Sequence, residues 1–486
     1  MNGYAQADRK TTARDDNARS RCVRVVAIMA LALPAACTVG PDYRKPDVSD
    51  IVPSDWHWKP ANAQDAVPKG DWWKAFADPE LDSLETTALA ANPTLRAAVA
   101  RVDEARATAR LARSQFYPQV TLDPSAKRER TSGNLPTPIP VHIPSASFNT
   151  FSLPLDLSYE IDLWGRVRRS LESARAQAEA SVSDQQNVLL TLTADIAINY
   201  FMLRTLDAEI RVLGSTVASR ADSLRILEER SAAGVTLGAD VEQARTQLAT
   251  ARTDLLDATR QRAETLDALA VLCGRPASTF KVEERPFEVR AVMMPPVLPS
   301  ELLQRRPDIA RAERGLVARN AQIGVARAAY FPSVQLIGQA GFLSKEASTV
   351  FATDSGVWSI GPRISLPIFT GGRTAADVAR AEAAYEEAIA DYRSTVLIAF
   401  REVEDSLAQI VLRGEQSRAQ DDAVRSAANV LNLARTRYQA GTATYLDVAD
   451  AERNLLQQER RQAQLQGQRY ASMVRLVKAL GGGWSQ

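Results

Sequence analysis

The sequence predicts a membrane protein of the α+β class, in which a few long β-strands are combined with much longer α-helices. Three observations predict it: residues 150–163 alternate strictly between apolar and polar side chains, residues 166–232 contain no proline and carry an apolar heptad, and the same plan recurs later in the chain. Period-two alternation is typical of a strand with one apolar face, and a sustained heptad is typical of coiled-coil helices.

The predicted strands are long enough to cross a membrane. Residues 150–163 would span the hydrocarbon core of a bilayer at roughly 3.3 Å per residue, with some tilt. The apolar face consists of Phe151, Leu153, Leu155, Leu157, Tyr159, Ile161 and Leu163. Residues 119–126, 333–342 and 357–369 supply three more strands, so the prediction is four per chain. A half-exposed strand of a soluble sheet is the alternative from periodicity alone.

Four strands cannot close a barrel, and open sheet edges are not stable in lipid. The chain is therefore expected to oligomerise and to pair its edge strands with those of other copies. A dimer would have eight strands and a trimer twelve, and the residues alone do not choose between them.

The helices form the second part of the prediction. Residues 79–114 are predicted as one helix, and residues 166–232 as another of roughly 100 Å at 1.5 Å per residue, about three times the bilayer core. Its heptad consists of Leu189, Ile196, Leu203, Ile210, Val217 and Leu224. After a glycine turn the chain returns antiparallel, and residues 373–438 and 446–480 repeat this pair. A soluble cytoskeletal coil is the alternative for the helices alone.

An internal duplication organises the chain. Pro93 recurs as Pro307, 214 positions later, and Gly165 recurs as Gly372, 207 positions later. A period this long indicates duplication of a whole supersecondary block rather than a short solenoid repeat. The predicted organisation is a signal peptide region, an N-terminal segment and two structural repeats, over residues 1–36, 37–75, 76–280 and 290–486.

The N-terminus predicts export. Three arginines precede an apolar run, residues 25–36, which as a helix would span roughly 18 Å against a hydrocarbon core of about 30 Å. This length is typical of a signal peptide rather than an anchor helix. Residues 33–37, LPAAC, resemble a bacterial lipobox, in which the cysteine, here Cys37, is lipidated. Pro34 departs from the usual Leu, Val or Ile, and ordinary cleavage near Ala36 is the alternative.

The composition excludes several functions. A formal net charge of +1 argues against a nucleic-acid partner, because such proteins usually carry a basic excess. Two histidines are too few for a histidine-based zinc site, and no GxxxxGK[ST] phosphate loop occurs in the sequence. No cluster of His, Cys, Ser or carboxylate residues has the spacing of a catalytic site, so neither an enzyme nor a metal site is predicted. Cys273, near a helix end, is predicted to be a small buried hydrophobe.

Several motifs resemble those of one known family. Residues 40–43 (GPDY), Trp72 with Trp73, Asp78 with Pro79, and residues 441–451 (GTATYLDVADA) resemble outer membrane factors of the TolC superfamily, most closely the OprM/NodT-like efflux lipoproteins. The resemblance implies a homotrimer in the outer membrane of a Gram-negative bacterium, with a 12-stranded β-barrel continued by a long periplasmic α-helical coiled-coil barrel. It implies a covalent lipid on Cys37 and no other cofactor.

The resemblance also implies a function. The chain would be the outer membrane channel of a tripartite efflux or export system, a passive duct for drugs or other small molecules. Its partners would be a periplasmic adaptor (membrane fusion) protein, an inner-membrane transporter of the RND type, and outer membrane lipid. A structural or adhesion coiled-coil lipoprotein without a conducting lumen is the alternative.

A periplasmic gate is the first site that the resemblance implies. By position, Asp447 and Asp450 would form carboxylate rings, and Tyr438 and Leu446 would add closing contacts. Gln439 stands where some members have an arginine. The two acids are three residues apart and so share one helical face. Three-fold repetition would raise their pKa and favour cations, and simple stabilisation of a helix N-terminus is the alternative.

The helical turns are the second implied site. Adaptor contacts are expected at the two tips, which consist of Gly234, Val235 and Gly238 in the first repeat and of Gly441 and Thr442 in the second.

Overall fold

The computed structural model describes residues 38–53, 55–57, 70–133, 145–286 and 305–482. The predicted signal peptide and Cys37 lie outside the described residues. The chain divides into two compact units, each built from three separate segments. The first unit contains residues up to 44, 106–177 and 316–387, and the second contains residues 45–105, 178–315 and 388–486. The units therefore take segments from both sequence repeats.

Seven α-helices and five β-strands make up the regular structure of the described residues. The helices are α1 (Pro79–Ala91), α2 (Pro93–Ser114), α3 (Arg166–Ala232), α4 (Gly238–Leu272), α5 (Pro307–Ala328), α6 (Arg373–Gln439) and α7 (Tyr445–Ala479). The strands are β1 (Gln119–Leu122), β2 (Ser125–Arg130), β3 (Ser147–Glu160), β4 (Ser333–Ser344) and β5 (Gly356–Ser365). Short 3-10 turns lie at Trp72–Phe76, Ala277–Thr279, Ala347–Thr349 and Thr353–Ser355.

The helices recur with equal lengths. Helices α2 and α5 have 22 residues each, α3 and α6 have 67 each, and α4 and α7 have 35 each. Their starting residues are displaced by the intervals that the sequence predicts. Helix α3 is continuous, as the absence of proline indicated.

The single helix predicted over residues 79–114 is wrong. The chain leaves α1 at Asn92, which is extended (ψ 123°), and α2 begins at Pro93. A residue before proline is pushed out of the helical region, and proline at the first helical position loses no hydrogen bond. The Asn92 side chain accepts a hydrogen bond from the Leu95 backbone N–H at 2.9 Å and so caps α2. Asn92 and Pro93 therefore start helix α2, and Pro93 is also the residue that recurs as Pro307 in the second repeat.

The first unit contains the antiparallel sheet, in the order β1-β3-β4-β5, with β2 also paired to β3. β1 and β2 keep one continuous register along β3, so they are one strand position interrupted at Asp123 and Pro124. The sheet therefore has the four predicted positions, although the first strand continues to Arg130 rather than ending at residue 126.

Two predicted strand ends are wrong. β3 spans Ser147–Glu160 rather than residues 150–163, because the Asp162 carboxylate turns to accept the backbone N–H groups of Val167 (3.1 Å) and Arg168 (2.9 Å) at the start of α3. β5 ends at Ser365 rather than at residue 369, shortly before Pro367, which has no N–H to donate to a ladder. Alternation of side chains continues past both ends, and beyond β3 the Ile161 backbone N–H still donates to the Val334 carbonyl at 2.8 Å.

The second unit has an aromatic core. Trp72, Trp73 and Phe76 of the N-terminal 3-10 turn are buried with side chains of α1, α3, α4 and α7. The ring centroid of Phe201 lies 4.9 Å from that of Phe76 and 4.7 Å from that of Tyr470. Residues of both sequence repeats therefore share one core.

Two of the six residues of the predicted heptad are fully buried in this unit, and the other four, Leu189, Ile210, Val217 and Leu224, are half-buried. Ile196 and Leu203 have no exposed surface, and the interleaved Leu213 and Leu206 are 0% and 2% exposed. Within the described residues, α3 is the one helix with a stretch apolar enough to cross a membrane, and 61% of that stretch is buried inside the protein. This is the pattern of a core helix.

Cys273 is buried as predicted. Its side chain is fully enclosed and its Sγ donates to the Leu84 carbonyl oxygen at 3.7 Å. Burial raises the pKa of the thiol to about 11. Cys273 is the free cysteine of the described residues.

Helices α3 and α7 approach closely at Gly467, which yields a testable prediction. A methyl carbon added there would lie 1.8 Å from Thr205 Oγ1 and 2.9 Å from Thr205 Cβ. We expect Gly467→Ala to lower the free energy of unfolding by about 1–3 kcal/mol, because overpacking forces helices apart. Denaturant titration followed by circular dichroism measures it.

Gly414 in α6 is the matched control for Gly467. A methyl carbon there meets nothing within 4 Å, so Gly414→Ala is expected to stabilise the helix by about 0.5–1 kcal/mol. Equal effects of the two substitutions would contradict the close packing at Gly467.

Candidate functional site

Two identical turns end the long helices of the second unit. Gly234 and Gly441 adopt left-handed backbone angles, φ 73° and 72°. The next residue in each turn, Val235 or Thr442, donates its backbone N–H to a carbonyl five residues earlier at 2.9 Å. This is the Schellman motif, in which a glycine satisfies the last carbonyls of a helix. Only a residue without a side chain takes this conformation readily, so the repeat preserves both glycines.

The first turn presents apolar side chains. Val235 is 73% exposed and Leu237 is 72% exposed, and α4 starts at Gly238 without a side-chain cap. The second turn is more polar: Thr442 Oγ1 donates to the Arg437 carbonyl at 3.2 Å. The predicted tip residues therefore lie in turns of equal backbone geometry and different surface chemistry.

Asp447 caps helix α7. Its carboxylate accepts the Thr444 backbone N–H at 2.8 Å and the Thr444 hydroxyl at 2.7 Å, while Thr444 Oγ1 accepts the Asp447 N–H. This reciprocal pair is a capping box. The hydrogen bonds from Thr444 lower the pKa of the Asp447 carboxyl. Within one chain the capping interpretation accounts for Asp447, and its role in a gate stays a prediction.

The cap predicts a pH dependence at this turn. A lowered pKa means that the stabilisation is present above the unfolded-state pKa, near 3.9, and is lost as pH falls through the folded-state value. We expect amides of residues 445–450 to lose hydrogen-exchange protection at acidic pH in the natural protein. In Asp447→Asn, protection should be lower at neutral pH and should change less with acidification.

Asp240→Asn is the control for the cap. Asp240, in the matching turn, accepts from the Thr236 hydroxyl at 3.0 Å, and helix α4 has no side-chain cap. Loss of protection as large as in Asp447→Asn would contradict the assignment of the effect to the capping box.

The other predicted gate residues lie on both sides of this turn. Tyr438 packs edge-on against Tyr445 at a centroid distance of 6.1 Å, and burial raises the pKa of Tyr445 to about 12. Asp450 pairs with Arg453 one turn along α7. Leu446 is 54% exposed. The structure thus brings Tyr438 to the start of α7 and leaves Leu446 at the surface.

One contact at this turn is not predicted by the sequence. Arg230 of α3 lies over the Tyr438 ring at 5.7 Å and donates from Nη1 to its hydroxyl at 3.4 Å. A cation over an aromatic face is attracted by the ring quadrupole. Gln439, not an arginine, directly follows Tyr438. The cation that contacts the tyrosine ring is Arg230, from the first repeat. No local pattern in the sequence marks this contact, because Arg230 and Tyr438 lie 208 positions apart.

The sheet of the first unit exposes apolar side chains at alternate positions. On β5, Trp358, Ile360 and Ile364 are 79%, 63% and 68% exposed. Both outer strand positions, β1 with β2 and β5, pair on one side only within the described residues. Trp164, shortly after β3, is packed: its ring stacks on Phe331 at a centroid distance of 4.7 Å, and its indole N–H donates to the Pro332 carbonyl at 2.7 Å.

A family model agrees with these features. The model described as outer membrane efflux protein matches residues 84–275 and 298–482. This chain belongs to the outer membrane efflux protein family. Its predicted TolC-superfamily membership, membrane α+β class and outer membrane location are confirmed by this family and by the relatives that follow.

Curated relatives of this outer membrane efflux protein span nearly its whole length. It is 35% identical over 469 residues to a solvent efflux pump outer membrane protein, SrpC, of Pseudomonas putida, covering 94% of this chain and 98% of the relative. It is 33% identical to the cation efflux system protein CusC of Escherichia coli, covering 96% and 100%. Among solved structures, the CmeC outer membrane channel of Campylobacter jejuni superposes with a TM-score of 0.87 at 26% identity, covering 93% and 96%.

In this efflux protein no group of three or more His, Cys, Asp or Glu side chains in the described ranges is placed to hold a metal ion. The tips and the sheet are its candidate functional features.

Proposed function

We propose that three copies of this efflux protein form a passive duct, with a twelve-stranded β-barrel in the outer membrane and helices that enclose a periplasmic tunnel. The observation that carries the proposal is the sheet of four strand positions, whose outer strands pair on one side only within the described ranges. Unpaired backbone groups are not stable in hydrocarbon, so copies must pair their edges.

The size of the barrel favours a trimer over a dimer. An eight-stranded barrel has an interior that side chains just fill, whereas larger barrels enclose a channel. Twelve strands are the smallest multiple of four that exceeds eight. The alternating polar residues of β3, among them Asp156 and Ser158, suit a water-filled interior.

The proposal includes partners that carry the energy. A periplasmic adaptor would bind the exposed tips at Val235 and Thr442, and an inner-membrane transporter of the RND type would drive export. The two curated relatives are named for solvents and for cations, which fits a duct that leaves cargo selection to its partners. No catalysis is assigned to this chain.

Lipid attachment at Cys37 is part of the proposal and rests on the sequence. The residues that follow it are held against the first unit. Val39 donates to the Trp164 carbonyl at 3.0 Å, and Gly40 is so close to Gly324 that an added methyl carbon would lie 2.5 Å from its Cα. A lipid on Cys37 would thus be tethered near the end of β3.

Assembly and conduction test the proposed function. We expect the purified mature protein to be a heat-dissociable trimer in detergent and to conduct in planar bilayers when Asp450→Ala weakens the gate. Asp257→Ala, at an exposed acid of α4, is the control and should conduct like the natural protein. A monomer soluble without detergent would overturn the proposal, and a trimer silent in every variant would favour the scaffold alternative.

A further inference from the structure

The second unit contains an arginine-lined cavity that the duct does not require. It has a volume of about 510 Å³ and lies among α3, α4 and α7. Four arginines line it, Arg220, Arg453, Arg460 and Arg461, together with one carboxylate, Asp254. The remaining lining is mostly glutamine and threonine. The wall therefore carries an excess of positive charge and many hydrogen-bonding groups.

Two of the four arginines already have carboxylate partners. Arg460 pairs with Glu209 at 2.6 Å and Asp254 at 3.4 Å, and Arg453 pairs with Asp450. Within the described residues, no salt bridge joins a carboxylate to Arg220 or to Arg461. Two positive charges at the cavity are thus left for a further anion.

Arg220 is the buried member of the pair. It is 5% exposed, its Nη1 donates to the Gln247 carbonyl at 2.7 Å, and its Nε is buried without a hydrogen-bond partner in the described part of the chain. Gln247, 8% exposed and also lining the cavity, has a buried Oε1 without a partner. Buried charged groups are usually paired, and burial lowers the pKa of Arg220. A bound group that accepts from Arg220 would satisfy this donor.

We propose that this cavity binds an oxyanion of the phosphate class, held by Arg220 and Arg461 with support from Arg453 and Arg460. Guanidinium groups match phosphate oxygens in planar, charge-assisted hydrogen bonds. Hydrogen phosphate also suits the site because it offers several acceptor oxygens together with a P–OH that can donate to the Gln247 Oε1. Since the cavity joins α3 and α4 of one repeat with α7 of the other, the anion would also stabilise their packing.

Calorimetry with inorganic phosphate on the assembled, detergent-solubilised protein tests the proposal, with chloride at equal ionic strength as the reference. We expect saturable binding, weakened at least about tenfold by Arg220→Gln, as loss of a charge-assisted hydrogen bond predicts. Arg461→Gln, at an exposed position that does not endanger folding, should weaken binding about threefold or more. Arg252→Gln removes the same charge from α4 outside the cavity and should leave the affinity unchanged.

Three results would overturn the proposal. They are an absence of saturable phosphate binding, equal affinity in Arg461→Gln and Arg252→Gln, and a density map of the assembled protein in phosphate that shows a carboxylate of another copy or only water beside Arg220. Failure of these tests would leave the proposed duct untouched, because conduction and trimer formation are measured separately.

Discussion

Asp207→Ala is expected to lower the free energy of unfolding by about 3–5 kcal/mol, the usual cost of leaving buried charges without their partner. The Asp207 side chain is 1% exposed and accepts from Arg204 Nη1 and Arg262 Nε, both at 2.6 Å. Arg204 also pairs with Glu80 at 2.6 Å and donates to the Glu283 carbonyl at 2.7 Å. Removal of Asp207 would leave two arginines short of one carboxylate in the interior of the second unit.

Guanidinium titration followed by circular dichroism measures this loss. Asp257→Ala is a matched control, because Asp257 pairs with Arg260 at 2.7 Å but both side chains are more than half exposed. An exposed pair contributes at most about 1 kcal/mol. Equal destabilisation by the two substitutions would show that the buried ion pairs of Asp207 contribute no more to stability than an exposed pair does.

Glu85→Gln is expected to stabilise the protein at neutral and mildly alkaline pH, by about 5 kcal/mol at pH near 8 relative to the difference below pH 4.5. Glu85 is fully buried in α1, and both carboxylate oxygens lack a hydrogen-bond partner in the described part of the chain. Burial, with a smaller effect of Asp82, raises the pKa of the Glu85 carboxyl from 4.5 to about 9. The folded protein therefore holds a proton that the unfolded chain releases.

The sign of this pH effect follows from linkage. Below about pH 4.5 Glu85 is protonated in both the folded and the unfolded state, so its ionisation does not lower the free energy of unfolding. That free energy then falls as pH rises toward the folded-state pKa near 9. Unfolding measured from pH 5 to 9 should show natural protein and Glu85→Gln diverging steadily. The control is Glu387→Gln, at an exposed site of α6. Its free energy of unfolding should change with pH as that of the natural protein does. A Glu85→Gln curve that also stayed parallel would contradict a protonated Glu85.

The sequence was most informative about long regular elements. Helices α3 and α6 could be predicted almost to the residue because a glycine lies just before and just after each of them and no proline interrupts either. The strand ends were harder to predict. Asp162 continues the side-chain alternation of β3, while its carboxylate accepts a backbone hydrogen bond at the start of α3. Periodicity reports which face a residue occupies, and it does not report whether the backbone is still paired.

Polar contacts between distant segments were beyond the sequence. Asp207 with Arg262, and Arg230 with Tyr438, join residues 55 and 208 positions apart. Charged residues occur along every helix here, and no local pattern distinguishes the few that meet in the interior from the many in solvent. Such pairs depend on the rotation of each helix about its axis, which packing of the whole unit determines.

The enclosed thiol of Cys273 has a practical consequence for chemical labelling. The thiolate is the form that attacks maleimides and disulfide reagents, and a thiol with no exposed surface and a pKa of about 11 presents almost no thiolate near neutral pH. A cysteine introduced at Val235 or Thr442, both exposed, would then react alone among the described positions. Fluorophores or spin labels can therefore be attached to either turn while Cys273 keeps its natural identity.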